Sequence, residues 1–129
     1  MRVLNVGFFG MGQEVKAFEE SLTEFFGRPT LCVVNGTAAL HLALQAAGVG
    51  QGDEVLVQSL TYVASFQAIA ATGAKPIPCD VLVTTAGIDL SDAKRKITSK
   101  TKAIMPVHYA GGVGELDAIY DFAGTHGLR

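Results

Sequence analysis

Two kinds of apolar patterning alternate along the chain. In "EVKAFEESLTEFFG" the apolar residues Val15, Phe18, Leu22, Phe25 and Phe26 recur at intervals of three and four, opposite a charged face, and Gly27 stands where such a helix stops. "TLCVV" is short and apolar throughout and predicts a buried strand; "TAALHLALQAAG" then predicts a helix ended by Gly48. After the turn "GVGQGD" the same alternation continues, with "EVLVQ" as a second strand and "TYVASFQAIAATG" as a helix closed by Gly73. "AKPIPCDV" reads as a third strand broken by prolines, "LSDAKRKIT" as a weak helix, "KAIMPVHY" as a fourth strand and "ELDAIYDFAGTHG" as a last helix. Strands that are apolar along their whole length and separated by helices need right-handed crossovers. They form a parallel sheet covered on both faces. The predicted class is α/β: a three-layer sandwich, mostly parallel, with helices on both faces, in a single domain over residues 1–129.

Composition narrows the picture. With 49% hydrophobic and 17% charged residues the chain is built to fold, and 129 residues suit one domain with a core. A formal charge of -2 with scattered Lys and Arg gives no basic stripe, so nucleic acid is not an expected partner. No apolar run reaches the roughly 18 residues that span a bilayer, and "MRVLNVGFFGMG" is too short and Gly-broken for a signal peptide. The reading is cytoplasmic, with no membrane partner. Cys32 and Cys79 both fall in apolar strand-like runs and read as two buried thiols.

A parallel sheet gathers its ligands beyond the C-terminal ends of the strands. The loops predicted there are Asn35–Thr37, Gln58–Tyr62, Cys79–Val81 and His108–Gly112. In "NGTAAL", Gly36 permits an unusual turn, and Thr37 with Ala38 opens a helix whose first N–H groups lack internal partners. The helix dipole favours an anion there by about 0.3–1 kcal/mol, rising to about 2 in a partly buried site, and the threonine hydroxyl adds a hydrogen bond. A phosphate fits; a Thr-capped helix after a tight turn is the plain alternative. Tyr62, one strand over, is either a core plug or a flat platform for a planar ligand. An anion cradle beside an aromatic platform suits a ligand that is both phosphorylated and aromatic, such as pyridoxal phosphate. His108, ending the fourth strand, faces the same edge as a substrate or cofactor contact, or else bonds only to its own loop.

Other features carry less. His41 reads as a packed or capping residue, and His126, Asp117 and Asp121 as a solvated helix face. No spacing suggests a metal, and Ser59 and Ser65 lack a nucleophile-elbow context. A rival reading starts from "VGFFGMGQEV", where Gly7, Gly10 and Gly12 follow a strand-like "RVLNV" and precede a helix, as in an NAD(P)-binding oxidoreductase. Val15 occupies its third glycine position, and Asn35 stands where a ribose-binding acid is expected. A non-catalytic binding domain that keeps the fold is a further alternative.

The segment "NGTAALHLALQAAGVGQGDEVLVQSLTYVASFQAIAATGAKPIPCDV", followed by "ITSKTKAIMPVHYAGGVGELDAIYDFAGTHGL", resembles the DegT/DnrJ/StrS family of sugar aminotransferases from about Gly12 to the C-terminus. The resemblance implies part of the large domain of a fold-type-I transferase, pyridoxal phosphate as cofactor, and amino transfer from an amino acid to a keto-sugar, usually nucleotide-linked, in a homodimer. It implies that Thr37 and Ala38 hold the cofactor phosphate, that Gly36 shapes the turn, and that the Tyr62 ring stacks on the pyridine. It also places the Schiff-base lysine, and the aspartate that pairs with the pyridine nitrogen, downstream of "HGL". None of Lys16, Lys75, Lys94, Lys96, Lys100 and Lys102 matches that position. The expectation is therefore an N-terminal fragment with no catalytic residue of its own, inactive alone, with apolar faces that favour self-association.

Overall fold

The computed structural model describes residues 2–129. They fall into two compact units, Met1–Val34 and Asn35–Arg129.

The first unit holds two helices, α1 (Arg2–Val6) and α2 (Gln13–Phe26). Gly27 closes α2 in the left-handed region at φ 63°, the predicted stop. Two expectations fail here. "RVLNV" is helical, so among the described residues no strand precedes Gly10-Met11-Gly12 and the βαβ unit of the dinucleotide reading does not form. "TLCVV" joins no strand: the Cys32 N–H donates to Glu19 Oε1 at 2.7 Å, and Leu31 and Val34 are 82% and 89% exposed. A strand exists only through a ladder partner, which an apolar run does not itself provide. Cys32 is accordingly half-buried and outside any strand. The α2 stripe is amphipathic as predicted, yet Phe18, Phe25 and Phe26 remain exposed.

The second unit runs α3 (Gly36–Ala46), β1 (Glu54–Gln58), α4 (Ala64–Ala71), β2 (Lys75–Cys79), α5 (Leu90–Lys96), β3 (Thr101–Met105), a 3-10 turn (Tyr109–Gly111) and α6 (Leu116–His126). The strands form a parallel sheet in the order β2-β1-β3. β1 is central, and its side chains sort by the two-residue period. Val55 and Val57 pack with Leu44, Ala68 and Ile69 of α3 and α4. Leu56 points the other way, into a cluster with Cys79, Ala93 of α5 and Ile119 of α6. Helices therefore cover both faces, giving the predicted three layers, at about 25 cal/mol per Å² of apolar surface buried.

β2 explains its prolines. The Lys75 N–H donates inward to Asp53 O, so the alternate positions Pro76 and Pro78 face the outer edge, where no donor is needed and their rings discourage further pairing. On the opposite side, Arg129 exchanges backbone hydrogen bonds with Lys102 and Ile104 along the outer edge of β3.

Candidate functional site

Every connection from a strand to the next helix leaves the same edge of the sheet. α3 packs beside α4, and α3 returns the chain to the start of β1, so its N-terminus also stands at this edge.

The start of α3 differs in detail from the sequence reading. Asn35, not Thr37, is the N-cap: its backbone is extended (φ -166°, ψ 173°), and its Oδ1 accepts the Ala38 N–H at 2.9 Å. Gly36 is the first helical residue and lies outside the left-handed region, so it shapes no unusual turn. A Cβ built there would meet nothing within 4 Å, so no contact within the chain requires a glycine at this position. Among the described residues the N–H groups of Gly36 and Thr37 have no hydrogen-bond partner, whereas that of Ala38 is engaged by Asn35. Two free amides and a hydroxyl at the start of an 11-residue helix suit a phosphate.

Tyr62 is 77% exposed, which excludes the core-plug reading. It lies two residues before α4, in a loop tied by Thr61 Oγ1 to Ser65 Oγ at 2.7 Å. His108 is exposed at the start of the 3-10 turn that follows β3, the strand paired with β1. Among the described residues the two non-glycine residues with left-handed backbone, Ala86 at φ 54° and Ala110 at φ 52°, both sit in loops of this edge. Such strain persists only where surrounding contacts hold it.

Two structures here escaped the sequence reading. Gln58, the last residue of β1, is fully buried with both side-chain polar atoms bonded to backbone of the surrounding loops. The only signal was a polar residue closing the strand after the three apolar residues Val55, Leu56 and Val57. The second is Asp92 on α5, whose side chain is 6% exposed. It accepts from Lys96 Nζ at 2.6 Å, Arg95 at 2.9 Å and the Asp80 N–H at 2.8 Å, while Lys96 also donates to Pro78 O at 2.7 Å. The Lys96 and Asp80 hydrogen bonds hold the Asp92 carboxyl down at about 2, and Asp92 in turn raises the Lys96 ammonium. Burial pushes the neighbouring Cys79 thiol up. Lys96 is thus committed to structure. Lys75, Lys100 and Lys102 lie toward the opposite, N-terminal end of the strands, and Lys16 and Lys94 are exposed on α2 and α5. Among the described residues no group of His, Cys, Asp and Glu could hold a metal, and no helix is long and apolar enough to cross a membrane.

A parallel sheet covered on both faces by helices defines the class as α/β. The chain belongs to the DegT/DnrJ/EryC1/StrS aminotransferase family, whose sequence profile matches residues 1–129. It is 41% identical over 119 residues to a GDP-perosamine synthase of Caulobacter vibrioides, covering 92% of this chain and 32% of that protein. Among solved structures it resembles Streptomyces venezuelae DesV in complex with a ketimine intermediate, at 36% identity and a TM-score of 0.84 over 99% of this chain and 35% of that one. It also resembles ntda of Bacillus subtilis with bound cofactor PMP, at 32% identity and a TM-score of 0.92 over 99% and 30% of the two chains. The chain spans about a third of the length of these relatives.

Proposed function

We propose that this chain supplies the phosphate-gripping part of a pyridoxal 5'-phosphate site, in an aminotransferase that moves an amino group from an amino acid to a nucleotide-linked keto-sugar. The observation that carries the reading is the pair of unpartnered amides at Gly36 and Thr37, opening α3 on the same edge as the exposed Tyr62. The names of the relatives support the sugar substrate, and the PMP-bound neighbour supports the cofactor. When bound, the cofactor supplies an electron sink for charge developing at the substrate carbon. The Gly36 and Thr37 amides and the Thr37 hydroxyl hold its phosphate, and Ala38 joins them once Asn35 releases its N–H. Tyr62 stacks on the ring and orients it, and His108 meets the substrate. No lysine here takes the Schiff-base role, so these 129 residues bind without turning over. Self-association, as a homodimer in the cytoplasm, completes the proposal.

Titration with pyridoxamine 5'-phosphate, which has no aldehyde to react with surface lysines, tests the site by its own fluorescence. Thr37→Val weakens its binding about 5-fold, the worth of one hydrogen bond of about 1 kcal/mol, and leaves binding of pyridoxamine, which lacks the phosphate, unchanged. Equal affinity of the unmodified chain for the two compounds would overturn the reading.

A further inference from the structure

We infer that Gln58 is the positioning residue of the ligand edge: one buried carboxamide fixes where the loops carrying Tyr62 and His108 stand. The inference rests on the reading of that edge as the binding site. Gln58 ends the central strand after Val55, Leu56 and Val57, all four being 0% exposed. Nothing in strand packing asks for a polar side chain here, and a carboxamide is costly to bury unless its hydrogen bonds are made. They are made to three different loops. Nε2 donates to Leu60 O at 2.9 Å, in the loop after β1, and to Ala86 O at 2.9 Å, in the loop after β2. Oε1 accepts from the Val107 N–H at 3.3 Å, in the segment after β3. The opposite orientation of the amide would set a donor against the Val107 N–H and an acceptor against two carbonyls, so the network itself dictates the assignment.

Every strand of this sheet thus has its exit tied to one side chain. Tyr62 lies two residues beyond Leu60, and His108 directly follows Val107. Ala86 is one of the strained left-handed residues, and its carbonyl is held by Gln58. An aliphatic residue would fill the volume but leave two carbonyls and an N–H without partners. A glutamate would keep the bond to Val107 and lose both donors.

The test uses the full 129-residue chain with Gln58→Met and Gln58→Glu, read by NMR and by ligand binding. In Gln58→Met, amide exchange at Val107 rises about tenfold, the effect of losing a bond worth about 1.4 kcal/mol, and the Tyr62 and His108 ring signals shift, while core amides at Leu56 and Ile69 keep their protection. Affinity for pyridoxamine 5'-phosphate falls about tenfold, whereas inorganic phosphate, which reports only the start of α3, binds as before. Should Gln58→Met not fold, Gln58→Glu decides: Val107 stays protected and the Tyr62 ring shifts. Unmoved Tyr62 and His108 signals, or core amides that lose protection by the same factor as the loops, would overturn the assignment. An unmodified chain that binds neither pyridoxamine 5'-phosphate nor phosphate sinks the cofactor reading alone, because the ring and exchange measurements still decide the role of Gln58.

Discussion

Asn35 faces two demands at once, since its side chain satisfies an amide that a phosphate could also use. Its removal separates them. Asn35→Ala lowers stability by about 1 kcal/mol, the ordinary worth of an N-cap, seen as a lower urea midpoint, while affinity for pyridoxamine 5'-phosphate does not fall, because the Gly36 and Thr37 amides are untouched and the Ala38 N–H is freed for the phosphate. Loss of binding parallel to loss of stability would show that the cap, not the free amides, builds the site. The helix start was legible because Asn-Gly-Thr before an apolar run offers several N-caps. Which residue caps was not, because Asn and Thr are both good acceptors and the choice follows the backbone angles of Asn35. Tyr62 was equally undecided until its exposure removed the core reading.

At the level of elements, α5 shows how a weak local signal is reinforced by tertiary contacts. Its seven residues begin with the Asp89 cap and are bound to the end of β2 through Asp92, Lys96 and the backbone of Asp80 and Pro78. The Asp92 carboxyl lies at about 2 in the folded chain against 3.8 unfolded. A group with a lowered folded value stabilises above its unfolded value, so this contribution is complete above about pH 4 and fades as the pH falls toward about 2. Urea unfolding followed between pH 5 and pH 2 should therefore show stability falling through this window, with a shallower fall in Asp92→Asn. Identical slopes in the two proteins would remove Asp92 from the account. The element boundaries of α2, α3, α6 and β1 were readable because period and stop signals agreed. "RVLNV" and "TLCVV" were misread for one reason: a short apolar run carries no period long enough to tell helix from strand, and only a pairing partner makes a strand.

At the scale of the whole molecule, apolar surface outruns what the chain can bury. Phe8, Phe9, Phe25, Leu31, Val34 and Tyr120 are each more than half exposed. Sedimentation velocity on a dilution series should therefore show association that rises with concentration, and a single monomer boundary at every concentration would contradict it. The sequence by itself determined the α/β class, the parallel alternation and the edge to which candidate ligand groups are delivered, because continuous apolar strands separated by helices leave no other way to bury both faces of a sheet. Tertiary structure alone decided which of four strand-like runs pair, which residue caps α3, and that Gln58 ties three loops together. Those outcomes depend on hydrogen bonds between residues distant in the chain, and local patterning holds no record of such partners.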